Sequence, residues 1–253
     1  MTLITGVAVV VGLLLFVLLV VRPGSSPGVP TSSDNPAGLV KASMPVPSGL
    51  ADGRSVGKAD APVKMDIWAD FQCPYCSQFA RNVEPQVITD FVAKGIVRMT
   101  VHDFTFIGSG HDPDESVDAA VAARCADRQG RFWDFYETVF SNQGTTENSG
   151  AFTRDRLLAM ADLLGLDHAS FLACLSDQSV RADVVTETAA GTKAGVTSTP
   201  TSFINGKAVV GLKDYATIAA LLTAAAPSGS PASGGASGSP AGSPSPSGGS
   251  AAP

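Results

Sequence analysis

The stretch DFQCPYCSQF, residues 70–79, decides how this chain is read, because it sets Cys73 and Cys76 two residues apart in a sequence with only 4 cysteines. Immediately before it, VKMDIWAD (63–70) has the apolar, β-branched and aromatic composition of a strand. After it, SQFARNVEPQVITDFVAKG (77–95) has helical spacing, with a kink expected at Pro85 and a stop at Gly95. From Ile96 the run IVRMTVHDF alternates apolar and polar residues, which predicts a second strand. The result is a β-α-β unit with the cysteine pair at the start of its helix.

Downstream, residues 112–195 read as helices almost throughout: DPDESVDAAVAARCADRQ, RFWDFYETVFSN, TRDRLLAMADLLG, DHASFLACLSD and QSVRADVVTETAAGTKAG, with glycines and Asn at the joints. GVTSTP follows, then a strand TSFIN, a turn at Gly206-Lys207, a strand AVVG and a last helix DYATIAALLTAAA. The predicted order is therefore β-α-β, a helical block, and β-β-α.

Two cysteines at this spacing have three readings: a redox couple, half of a metal site, or a structural bridge. A thiolate is the nucleophile of disulfide exchange, and a helix N-terminus stabilises it through unpaired N–H groups and the positive end of the helix dipole. Cys73 has that place. Cys76, in the first turn, is near enough to attack a mixed disulfide on Cys73 and release the partner. Pro74 suits the first turn, where its missing N–H costs little, and Tyr75 brings no positive charge to the thiolate. Zinc would need four ligands, and no second CxxC is present. His102, His111 and His168 form no i, i+4 pair and read as strand-end, loop and helix-start residues. CxxC with one distant His could hold copper in a membrane-anchored metallochaperone, although such sites more often use a longer cysteine spacing.

Composition bounds the rest. The chain has 253 residues, 44% hydrophobic and 16% charged, with a formal net charge of −6 and no run of Lys or Arg to neutralise a phosphate backbone, which excludes nucleic acid as a partner. MTLITGVAVVVGLLLFVLLVVR (1–22) carries no charge from Leu3 to Val21 and predicts a transmembrane anchor. It has no cation ahead of it and no small-x-small cleavage site, so it reads as uncleaved. Residues 23–50 and 227–253, rich in Pro, Ser and Gly, read as a tether and a disordered tail, leaving one domain over 51–226. Arg22, the only flanking cation, favours a cytoplasmic domain by the positive-inside rule, whereas the cysteine usage favours export.

The element order, with DFQCPYC at 70–76, AARCADRQGRFWDFYETVF at 122–140 and GVTSTPTSFINGK at 195–207, resembles the DsbA-like thiol-disulfide oxidoreductases over roughly residues 55–225. That resemblance implies a thioredoxin-like α/β fold with a helical insertion at about 111–195. It implies that Cys73 is the attacking thiol and Cys76 the resolving one. It also implies a cis bond before Pro200, with Thr199 offering β-type hydrogen bonds to a client and Pro200 keeping metals from the thiols; Pro74 and Tyr75 border the same surface. The electron carrier would be the cysteine pair, without an organic cofactor. Re-oxidation would fall to a quinone-linked membrane protein of the DsbB or vitamin K epoxide reductase kind, and the clients would be exported proteins. The working direction expected is oxidation, with reduction or isomerisation as the alternative. The Pro74-Tyr75 pair looks like that of glutaredoxins rather than the Pro-His of the most oxidising members. One departure stands out: Ile67 occupies the strand position where many members carry a buried acid, with Asp66 and Asp70 on either side. Asp70 reads as a solvated or capping group at the strand end.

Cys125 and Cys174 lie in helical stretches without a CxxC partner. They are either buried thiols or a bridge between two helices, and an even cysteine count in an exported protein favours the bridge. Phe132, Trp133, Phe135, Tyr136 and Phe140 fall largely on one broad helical face and read as core.

Overall fold

A computed structural model describes residues 38–227. The anchor expected at 1–22, the first half of the tether and the tail lie outside those residues. Among the described residues no helix is long and apolar enough to cross a membrane.

Six strands form one sheet in the order β1-β2-β4-β3-β5-β6. They are β1 (Ala51–Asp52), β2 (Ser55–Val56), β3 (Val63–Ala69), β4 (Val97–Asp103), β5 (Thr201–Ile204) and β6 (Lys207–Val210). β3 and β4 pair in parallel, Met65 against Met99 and Ile67 against Val101, and every other pairing is antiparallel. Period-two alternation places Val63, Met65 and Ile67 beside Val97, Met99 and Val101 in the main core, all buried. The other face carries Trp68, stacked on His102 at 4.6 Å and packed with Phe104 and Val196.

The helix after β3 is broken where the sequence expects it. α1 (Pro74–Asn82) ends at Val83, and α2 (Glu84–Val87) restarts with Pro85 in its first turn and runs into a π-helical turn at Ile88–Val92. A proline has no N–H for an i→i−4 bond but fits a first turn, so the chain breaks just ahead of it. The helical insertion comprises α3 (Glu115–Asp127), α4 (Phe132–Ser141), α5 (Arg154–Leu164), α6 (His168–Leu175) and α7 (Gln178–Lys193), and α8 (Tyr215–Ala225) closes the fold. Asp114, Asp167, Asp177 and Asp214 each cap a helix by accepting a backbone N–H, of Val117, Ser170, Ser179 and Thr217. Gly191 lets α7 cross the sheet: a Cβ there would lie 2.7 Å from the Trp68 ring.

Two features differ from the sequence reading. The edge hairpin β1-β2 is too short to show a period; its only local signal is the Asp52-Gly53 turn, with Gly53 at φ 57°. The tether expected over 23–50 is packed against the domain from residue 38 onward. Leu39 and Met44 are buried in the main core. Val40 and Asn142 exchange hydrogen bonds of 2.8 and 2.7 Å, and Ala42 and Thr138 exchange bonds of 3.3 and 2.9 Å. Side chains of α4 thus satisfy an extended backbone that no local pattern identifies.

One polar network binds the insertion to the sheet. Arg124 of α3 donates to Asp103 at 2.7 Å and to Glu187 of α7 at 2.5 Å, while Arg54 donates to Glu187 at 2.6 Å. His102 bridges Glu187 at 2.8 Å and Asp66 at 3.2 Å. Burial alone would lower the His102 proton affinity, but the hydrogen bonds to Asp66 and Glu187 outweigh it and push the pKa up to about 9.

Candidate active site

Cys73 is the N-cap residue of α1, in extended backbone at φ −72° and ψ 118°, with Pro74 opening the helix. Its N–H donates to Asp70 O at 3.0 Å and its carbonyl accepts from Ser77 at 3.1 Å, so the sulfur is held at the helix mouth, where the first N–H groups have no helical partner. Both Cys73 and Cys76 are free thiols, 4% and 2% exposed. Tyr75 between them is 57% exposed.

The loop before β5 crosses in front of the pair. The Thr199–Pro200 peptide is cis, and the Cys73 thiol donates to the Thr199 carbonyl at 3.4 Å. The Thr199 hydroxyl is buried with no partner in hydrogen-bond geometry, yet it lies close enough to both sulfurs to lower the proton affinity of each. Cys73, Cys76, Pro74, Tyr75, Thr199 and Pro200, far apart in sequence, are thus brought to one end of the sheet, at the C-terminal end of β3.

Electrostatics set the two sulfurs apart. The Cys76 thiol as donor is the largest influence lowering Cys73; burial opposes it, while Thr199 and the N–H groups of Cys76 and Tyr75 add to the lowering, and the pKa settles at about 6. Cys76 goes the other way. Burial first, then its hydrogen bond to Cys73 and the charge there, push it well above the ordinary thiol range. At neutral pH the arrangement favours one thiolate and one thiol in the same helical turn.

The surrounding residues hold that turn in place. Asp70 is fully buried. Its Oδ1 accepts from Gln72 N at 2.9 Å and the Ser116 hydroxyl at 2.8 Å, and its Oδ2 accepts from the N–H groups of Phe106 and Ile107 at 3.0 Å each. The reading of Asp70 as a solvated group is therefore corrected: four donors, three of them from residues remote in sequence, fill its oxygens. Gln72 completes the clamp by donating to Ser116 Oγ and Asn148 Oδ1 at 2.9 Å and accepting from Asn148 N at 2.6 Å. Sequence reasoning missed Gln72, Ser116 and Asn148, whose only signal was a polar residue directly before the first cysteine. An open polar cleft lined by Gln72, Pro74, His111, Glu147 and Asn148 borders the pair.

Elsewhere, Cys125 and Cys174 are joined as a disulfide with Cα atoms 5.7 Å apart, linking α3 to α6. Ile67 is 1% exposed and apolar beside the site. The five aromatics of α4 are all buried core. Among the described residues no group of three His, Cys, Asp or Glu could hold a metal ion.

The family described as Thioredoxin matches residues 50–224. The probable disulfide bond formation protein D of Bacillus cereus is 29% identical over 155 residues, covering 60% of this chain and 70% of that protein. The crystal structure of oxidised BdbD from Bacillus subtilis superposes with a TM-score of 0.62 at 26% identity, covering 68% of this chain and 92% of that one. A Na(+)/H(+) antiporter NhaA 1 of Salinispora arenicola is 28% identical over 174 residues, but this chain spans only 24% of its length. With a cysteine pair at the head of α1, a cis-proline loop across it and these relatives, the chain belongs to the thioredoxin family and is a DsbA-like protein thiol-disulfide oxidoreductase.

Proposed function

We propose that Cys73 and Cys76 are the redox couple through which this protein introduces disulfides into exported client proteins. The observation that carries the reading is the Cys73 sulfur at the mouth of α1, buried but bordered by exposed Tyr75 and by the Thr199 carbonyl at 3.4 Å. A client thiolate attacks Cys73 Sγ, forming a mixed disulfide and displacing Cys76. A second client thiolate then attacks the client sulfur, and Cys73 leaves as a thiolate, a role its low proton affinity favours. The client loses two electrons and the couple gains them, so no organic cofactor is involved.

Thr199 and Pro200 form the turn against which an extended client segment pairs, with Pro74 and Tyr75 on the opposite lip. Residues 1–22 anchor the chain as a single membrane span with the domain on the extracytoplasmic side, where the Cys125–Cys174 bridge suits an oxidising compartment. A membrane re-oxidase of the DsbB or vitamin K epoxide reductase type restores the disulfide. The test combines equilibration of the full chain against glutathione buffers with refolding of a reduced secreted protein. Cys76→Ser should trap clients on Cys73 as mixed disulfides. A potential of about −270 mV, as in thioredoxin, without oxidative refolding would instead make the protein a reductase. Tight metal binding by the pair without any mixed disulfide would end the redox reading.

A further inference from the structure

The connection between α4 and α5, residues 142–153, is pinned at several points along its length. Gln143 donates to the Phe71 carbonyl at 2.7 Å. Asn148 stands at φ 52°, a left-handed backbone uncommon outside glycine. It is held there by its N–H, which donates to the Gln72 side chain at 2.6 Å, and by its amide, which donates to the Ile107 carbonyl at 3.4 Å. Glu115 then accepts the N–H groups of Gly150 at 2.6 Å and Phe152 at 2.8 Å. Anchors on both sides thus fix residues 144–147 next to Gln72, the residue that precedes Cys73.

Together with His111 on the loop that follows β4, that segment lines the polar cleft beside the pair, a space of about 390 Å³. That is the size of a small-ligand site. Gln72 and Pro74, the two chain neighbours of Cys73, both line it, so the cleft runs up to the reacting turn itself. Pro74 supplies an apolar wall, while the hydroxyls of Thr145 and Thr146 and the carboxylate of Glu147 supply acceptors. Gln72 and Asn148 spend their polar atoms on each other and on Ser116. Glu147 is exposed and makes no hydrogen bond or ion pair among the described residues. No Lys or Arg lines the cleft to offset its charge. Across from it, His111 is followed by Asp112 and Asp114, and Asp114 already accepts the Val117 N–H at 3.1 Å.

We infer that this cleft reads the residues flanking a client's cysteine, and that Glu147 makes the protein prefer clients carrying lysine or arginine there. A client sulfur attacking Cys73 brings its own chain neighbours to the cleft mouth, since consecutive Cα atoms are only about 3.8 Å apart. The aliphatic stem of a lysine or arginine lies along Pro74, and its charged head reaches the Glu147 carboxylate and the Thr145 and Thr146 hydroxyls. A client glutamate in the same place meets a like charge with no cation among the lining residues to relieve it. Because the loop is pinned before the client arrives, the contact does not have to order it. Glu147 selects which client is held and leaves the exchange chemistry to the two sulfurs. The inference deepens the redox-couple reading and rests on it, though not on the direction of electron flow.

The test opens the Cys73–Cys76 disulfide of the oxidised full chain with excess single-cysteine peptides, matched except for lysine or glutamate on both sides of the cysteine. A cation beside a thiol also raises the peptide's own thiolate fraction, so the raw preference for lysine is not the readout. The readout is that preference in the wild type divided by the same preference in Glu147→Gln, a cycle in which the peptide's own chemistry cancels. Glu147 is exposed, so its replacement disturbs no core contact. At low salt the quotient should be roughly five-fold, the upper end for an exposed charge contact, and Glu147→Lys in place of Glu147→Gln should enlarge it. In 1 M NaCl, where charges are screened beyond about 3 Å, it should fall towards one. A quotient of one at low salt, or one that 1 M NaCl leaves unchanged, overturns the inference. A wild-type disulfide that opens without any charge preference removes this inference alone, whereas one that no peptide thiol opens sinks the redox reading beneath it.

Discussion

Replacing Cys76 by alanine tests the electrostatic asymmetry of the pair. The Cys76 thiol is the largest influence lowering Cys73, whose pKa lies at about 6 against an ordinary 9.0. A hydrogen bond to a charged acceptor is worth about 1.5–3 kcal/mol, so Cys76→Ala should raise the Cys73 midpoint by ~1–2 pH units. Thiolate absorbance near 240 nm, followed from pH 4 to 10, reads it directly. The wild-type protein should show one step near pH 6, with Cys76 silent through neutrality. The same shift fixes how far thiolate stabilisation favours the reduced state. At pH 7 a thiol with pKa 6 instead of 9.0 gains RT ln(11/1.01), about 1.4 kcal/mol, or about 30 mV for two electrons. A depressed pKa stabilises the folded reduced form fully above pH 9 and ceases to do so as pH falls through 6. Urea unfolding of reduced minus oxidised protein should therefore rise between pH 5 and 9, and taking the difference cancels groups common to both forms. A flat difference, or an unchanged midpoint in Cys76→Ala, would refute the account.

Further expectations follow from the same contacts. Thr199→Val removes the buried unpartnered hydroxyl near both sulfurs and should raise the Cys73 midpoint by up to ~1 pH unit in the same titration. Replacing both Cys125 and Cys174 by alanine opens a bridge across 49 residues and should lower urea stability by about 4 kcal/mol in the entropic account, while client trapping on Cys73 persists when Cys76→Ser is added to the same variant. His102, raised to about 9 from 6.5, stabilises the fold fully below pH 6.5 and ceases to do so as pH rises through 9. The oxidised protein should lose up to about 3 kcal/mol across that window, and His102→Gln should flatten the slope.

The parts legible in the sequence were those fixed by local backbone rules. Composition marks β3 and alternation β4, Pro85 marks the break after α1, and the CPYC and Thr199-Pro200 stretches locate the two loops that meet. What the sequence hid depends on partners far along the chain. Asp70 ends a strand and reads as solvated until Phe106, Ile107 and Ser116 close over it. Glu84 opens a short helix beside a proline, where an acid is usually exposed, and only the arrival of α4 buries it under Tyr136. Residues 38–50 have no apolar period, so their docking on Asn142 and Thr138 leaves no local trace.

Taken together, the donors around Cys73 are neutral: a thiol, a hydroxyl and two backbone N–H groups, with no cation among the groups that lower it. Such dipoles act at contact distance in a buried site, so salt should screen them little. They also cap what the site can do on its own. Thiolate stabilisation contributes about 30 mV at pH 7, about a third of the span of about 90 mV separating thioredoxin from protein disulfide isomerase. Within the proposed oxidase, the low proton affinity of Cys73 makes it a fast leaving group, and the high one of Cys76 keeps the inner sulfur protonated until a partner restores the bond. Thiolate chemistry thus governs how readily electrons move through the pair, and it leaves their net direction to the redox partner with which the pair exchanges them.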